Sequence, residues 1–224
     1  MAQKTTQYVC SECGYAAPRW LGKCPSCGAF NTMQEEIVAP APAASSRPSK
    51  NAASRSAFAL SGGKARPLSE VKYEEFQRVS SGISELDSVL GGGIVKGSLV
   101  LLGGDPGIGK STLLTQTAAH LSKNHKVLYV SAEESCSQVK MRCERLGLSS
   151  DSLLLLNETN LEAIEESLDG VEYAVIDSVQ AIYTDALSSA AGSVGQVREC
   201  AASLMRIAKS RGITFFIIGH VTKE

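Results

Sequence analysis

The chain has 224 residues, 43% of them hydrophobic and 20% charged, with a net charge of −1. That allows one full domain and a small one, supplies enough apolar material for a core, and excludes a uniformly basic nucleic-acid packer. The charge is uneven: residues 1–78 hold ten Lys/Arg against six Asp/Glu, whereas residues 79–224 hold twelve against seventeen, which points to two modules.

No apolar run approaches the ~18 residues of a membrane helix. The opening MAQKTTQ lacks the apolar stretch of a signal peptide, so a cytoplasmic location is expected. Four of the seven cysteines fall within the first 27 residues. In a reducing compartment such a cluster reads as a metal site before it reads as disulfides.

Residues 1–33 are expected to form a small zinc domain. Cys10-x2-Cys13 and Cys24-x2-Cys27 supply four thiolates, the number that fills tetrahedral zinc and leaves no position for a reacting water. Gly14 and Gly28 follow the two pairs and allow a tight turn there. Two redox pairs are the alternative, but redox CxxC opens a helix in a larger βαβ fold, which is absent here. Arg19, Trp20 and Lys23 lie between the pairs, a cation–aromatic mix suited either to nucleic acid or to packing over the metal. Residues 34–77 read as a flexible basic linker. Ala, Ser, Pro and Gly dominate residues 37–68, which hold five Lys/Arg and no acid and too little apolar surface to offset ordering. The basic groups there either keep the linker soluble or attract nucleic acid weakly.

From residue 78 to 224 strands and helices alternate. Strands are predicted at 98–103, 127–132, 153–156, 173–179 and 213–219, and helices at 111–122, 136–146, 161–168 and 196–210. Strands that are continuous apolar runs separated by helices imply an α/β domain whose parallel sheet is covered on both faces.

The segment GDPGIGKST at 104–112 fits the phosphate-loop pattern after a strand and before a helix. The loop of Gly104, Asp105, Pro106, Gly107, Ile108 and Gly109 would curl its available backbone N–H groups around a phosphate, and Lys110 would reach the β- and γ-phosphates. The Ser111 hydroxyl, followed by Thr112, would ligate Mg²⁺. Asp177 ends an apolar strand and is the second magnesium candidate. Glu133 ends another and is the candidate for polarising the attacking water; its neighbour Glu134 is read as a helix cap. Lys110, Glu133 and Asp177 are the predicted catalytic set, with ATP and Mg²⁺ as cofactors beside one structural zinc. His120 and His125 are read as structural.

These residues together resemble the RecA-like ATPases, and more narrowly a bacterial DNA-repair branch that carries a zinc knuckle pair. The resemblance rests on CSECG…CPSCG, on the lead-in SGISELDSVLGGGI at 81–94, on 104–112 with Glu133 and Asp177, and on AAGSVGQVRE at 190–199 with GHVTKE at 219–224. It implies a DNA-stimulated ATPase that moves on single-stranded DNA and promotes branch migration with the recombinase RecA, as a homohexameric ring. It also implies DNA contact by a loop over 188–197, with Gln196 and Arg198 as candidates, and a γ-phosphate sensor at His220. Such proteins continue with a Lys-Asn-Arg-Phe-Gly motif and a Lon-protease-like domain, so the resemblance implies a core truncated at Glu224 and weak turnover by this piece. The alternatives are an ATP switch or clock-type ATPase-kinase without DNA movement, and a nucleotide-binding module without turnover.

Overall fold

The computed structural model describes residues 5–12, 14–38, 67–70 and 78–220. Cys13 and most of the expected linker lie outside these residues. The first module is a three-stranded antiparallel ribbon of β1 (Thr5–Cys10), β2 (Ala16–Ala17) and β3 (Met33–Val38), with β1 in the centre. Its last strand continues past residue 33, where composition places the start of the linker. Buried Cys10, Ala17, Cys24 and Met33 form its small core. One turn is used twice. Gly14 N donates to Cys10 O and Gly28 N to Cys24 O, both at 2.9 Å, with φ of 71° and 78° at the two glycines, a backbone region that residues with a Cβ rarely enter.

Past a 3-10 turn at Leu68–Glu70, β4 (Arg78–Val79) pairs antiparallel with β5 (Ile94–Val95), and α1 (Ser84–Val89) lies between them. These elements are not legible in the sequence, since each is too short to show a period. Capping chemistry holds them: Asp87 accepts from Ser80 Oγ at 2.7 Å and Ser81 N at 2.8 Å, and Arg78 donates to the carbonyls of Leu90 and Gly93.

The remaining elements are β6 (Leu99–Gly104), α2 (Lys110–Leu121), β7 (Val127–Ser131), α3 (Cys136–Arg145), β8 (Leu153–Leu156), α4 (Leu161–Glu166), β9 (Tyr173–Asp177), α5 (Val194–Arg211) and β10 (Thr214–His220). The five strands form one parallel sheet in the order β6-β10-β9-β7-β8. Strict alternation explains why the strands read as unbroken apolar runs. Leu128, Val130, Ala174, Ile176, Phe215 and Ile217 pack with residues of α4 and α5. Val127, Tyr129, Tyr173, Val175, Phe216 and Ile218 pack with residues of α2 and α3. Each strand is therefore apolar on both sides. No helix among the described residues is long and apolar enough to cross a membrane.

Helix α5 begins at Val194, capped by Ser193 Oγ, so the Gly/Ser-rich loop ends earlier than residue 197. Gln196 is 1% exposed. Its Oε1 accepts from Thr184 N at 2.9 Å, and its Nε2 donates to the carbonyls of Thr184, Leu187 and Ser189 at 3.0–3.2 Å. The amide group of this DNA-contact candidate is thus spent inside the protein, on the shape of the loop. Gln196→Ala strands several buried backbone groups, so it is expected to lower unfolding stability by about 1–3 kcal/mol. A urea midpoint equal to that of the unsubstituted chain would show that the loop does not depend on this side chain.

Candidate active site

Parallel pairing brings the chemistry to one edge. His220 is in register with Gly104 across β10 and β6, and Ser131 is in register with Asp177 across β7 and β9. The carboxyl ends of four strands, and the residues just after them, therefore share one crest, where open α/β sheets bind ligands. The phosphate loop leaves β6 there and enters α2 through Gly109, whose φ of 99° is left-handed. Lys110 is buried and its ammonium donates to Gly104 O at 2.8 Å and Asp105 O at 2.9 Å. Two of its three donors rest on loop carbonyls, so the side chain is folded back along the loop. Gly107, Lys110, Thr112, Glu133, Arg142 and His220 all line one cleft of about 330 Å³. A second hollow, of about 320 Å³, lies between α2, α3 and β8 against Ala119, Cys143 and Leu153. It is mostly apolar and shares no lining residue with the cleft at the phosphate loop.

Each predicted carboxylate is anchored through one oxygen. Asp177 is 7% exposed and its Oδ2 accepts from the Tyr129 hydroxyl at 2.7 Å. Glu133 is about half exposed, and its Oε1 accepts from Ser178 Oγ and contacts His220 Nε2 at 3.3 Å. Among the described residues the second oxygen of each, Asp177 Oδ1 and Glu133 Oε2, accepts no hydrogen bond. Glu134 is paired with Arg142 of α3 and does not cap that helix. The cap is Ser135, which accepts from Gln138 N while Gln138 returns a bond to Ser135 N, a reciprocal capping box.

Tyr129, Arg142 and Ser178 were not singled out from the sequence. Tyr129 carried a signal: a tyrosine inside an otherwise apolar strand must find a partner for its hydroxyl. Burial, and then the charge of Asp177, pushes this phenol far above its ordinary pKa, so it remains the donor. The histidines read as structural are so placed. His125 contacts Glu172 at 3.1 Å and meets Tyr173 edge to face, and His120 packs beside Gly82.

In the ribbon, the thiols of Cys10, Cys24 and Cys27 converge within 4.8 Å of one another, and Cys10 Sγ lies 3.7 Å from Cys27 Sγ. Thiolates on tetrahedral zinc, each at about 2.3 Å from the metal, sit about 3.8 Å apart, so the spacing fits that ion. Cys13 lies outside the described residues. Trp20 and Phe30 are exposed on the ribbon, with Lys23 Nζ 5.0 Å from the centre of the Phe30 ring. Arg198 is exposed on α5 and is not part of the cleft.

Comparison with known proteins agrees with this geometry. A rubredoxin metal binding domain model matches residues 8–35. Proteins named DNA repair protein RadA match the whole chain, at 52% identity in Listeria monocytogenes, 48% in Bacillus subtilis and 47% in Pseudomonas aeruginosa. The chain spans 48% of the length of each. A KaiC-like protein of Pyrococcus horikoshii shares the fold, with a TM-score of 0.57 at 22% identity over 66% of this chain and 73% of that one. The architecture is that of a RecA-like ATPase core preceded by a zinc ribbon. An AAA domain model matches residues 64–224, which include every strand of the parallel sheet, and the chain belongs to that family.

Proposed function

We propose that the chain is the ATP-binding half of a DNA-repair ATPase that couples hydrolysis to movement on single-stranded DNA. The observation that carries the reading is the joining of phosphate loop, Glu133 and His220 in one cleft at the sheet's carboxyl crest. The loop amides and the start of α2 face the phosphates of ATP. Lys110 balances their charge. Ser111 and Asp177 would hold Mg²⁺, which would supply positive charge beside the phosphates. Glu133, fixed through Oε1, keeps Oε2 to accept a proton from water attacking the γ-phosphate. His220, at 3.3 Å from Glu133, links that carboxylate to the end of β10 and serves as the γ-phosphate sensor.

The relatives' name supports DNA as the second substrate. Arg198, exposed on α5 beside the loop at 188–193, is the residue assigned in this proposal to meet its phosphates. A homohexameric ring acting with RecA in branch migration belongs to the same proposal, for the whole protein. The ribbon holds one zinc through Cys10, Cys13, Cys24 and Cys27 and has a structural role.

Lys110→Ala is expected to lower ATP turnover by at least about a hundredfold. Glu133→Gln should spare ATP binding and lower turnover by about 10²–10⁴. Steady-state phosphate release and equilibrium nucleotide binding check both, and unchanged turnover in either variant contradicts the assignment. Single-stranded DNA should raise turnover in the whole protein, by an effect that weakens as salt rises; a rate indifferent to DNA favours an ATP switch instead.

Chelation supplies a separate test. Zinc in such small units is worth an apparent ~10–16 kcal/mol, so metal removal should unfold the ribbon and leave the parallel sheet folded. Metal analysis with hydrogen exchange reads both parts. Protein prepared without chelator yet free of zinc, or a ribbon indifferent to chelation, overturns the zinc assignment.

A further inference from the structure

The two residues placed at magnesium, Ser111 and Asp177, stand on different elements, α2 and the end of β9. A continuous hydrogen-bonded path joins them. Thr115 Oγ1 donates to Ser111 O at 2.6 Å. Arg142 Nη1 lies 3.4 Å from both Thr115 Oγ1 and the Tyr129 hydroxyl. That hydroxyl donates to Asp177 Oδ2 at 2.7 Å. Donor and acceptor roles agree along the path: Arg142 only donates, while the two hydroxyls accept from it and pass their own protons outward. Thr115 and Tyr129 are 0% exposed, so water does not compete for them. Arg142, at the wall of the cleft, is held from its other nitrogen by Glu134.

We propose that Thr115, Arg142 and Tyr129 form a yoke that fixes Ser111 and Asp177 relative to each other, and so sets the affinity of the nucleotide site for its divalent cation. The proposal rests on the nucleotide-site reading above. All three are positioning residues. The yoke leaves Asp177 Oδ1 open while holding Oδ2, which gives one carboxylate oxygen a fixed direction. Mg²⁺ demands near-ideal octahedral geometry, so freedom at either holder is felt as lost metal affinity, not as lost phosphate binding.

The test is the Mg²⁺ dependence of binding of a fluorescent ATP analogue to this 224-residue chain. Tyr129→Phe and Thr115→Val each remove one hydroxyl and no charge. For Tyr129→Phe, which deletes a hydrogen bond to an ionised group, the half-saturating Mg²⁺ concentration is expected to rise about tenfold or more. Thr115→Val should shift it in the same direction. Metal-free analogue affinity should stay within about twofold in both. Because the path is continuous, the double variant should be no worse than the more affected single one.

Unchanged Mg²⁺ dependence in both variants, additive shifts, or an equal loss of metal-free binding overturns the yoke. Arg142→Lys keeps the charge at the cleft wall and carries the same expectation if a buried variant fails to fold. Should the unsubstituted chain bind the analogue without any response to Mg²⁺, the nucleotide-site reading itself fails, and the yoke with it. An unsubstituted chain that responds to Mg²⁺, beside variants whose Mg²⁺ dependence is unchanged from it, overturns the yoke alone.

Discussion

Parallel pairing of β10 between β6 and β9 is the constraint on which the site depends. It sets Gly104, His220 and Asp177 at one end of three neighbouring strands, and pairing of β9 with β7 adds Ser131. No sequence-local rule places residues 104, 131, 177 and 220 together. A one-residue slip in any pair would turn each strand's inner set to the other helical layer. The two layers hold different residues, so a slip would break both packed sets: one face of the sheet meets Leu114, Ala118 and Val139, the other Ile164, Leu204 and Ile207. Core packing therefore fixes the register, and the register fixes the site.

The acids at that crest share a design. Each is tied by one oxygen to a neighbour, Asp177 through Tyr129 and Glu133 through Ser178 and His220, and among the described residues the other oxygen accepts no hydrogen bond. An untethered carboxylate at a phosphate site would sample many directions, and orientation is the larger part of what the protein contributes to phosphoryl transfer. Arg142 matters in the same way. Paired with Glu134 and nearly buried, it lends positive charge to a cleft wall whose other cation, Lys110, lies folded against the loop carbonyls.

Much of this was legible in the sequence, for identifiable reasons. The strand over 153–156 and the starts of the strands at 127 and 173 coincide with the observed elements because unbroken apolar runs bounded by turn residues leave little choice. The phosphate loop was readable because its chemistry is local. The lead-in elements α1, β4 and β5 were not, because two-residue strands and a six-residue helix hold through Arg78 and Asp87 contacts that no period announces. Gln196 shows the opposite failure: a polar residue beside a flexible-looking loop suggests exposure, yet its partners, Thr184, Leu187 and Ser189, bury it. The yoke residues escaped notice because hydrogen bonds between distant positions leave no spacing to read.

The claim that the phosphate loop and the sheet's carboxyl crest form one nucleotide site is open to hydrogen exchange with and without Mg·ATP. The account predicts slowed exchange at the amides of Asp105 and of residues 107–112, together with those following Ser131 and Asp177, and little change elsewhere. Protection confined to the apolar hollow around Ala119, Cys143 and Leu153, or no protection at those loop amides, would contradict it.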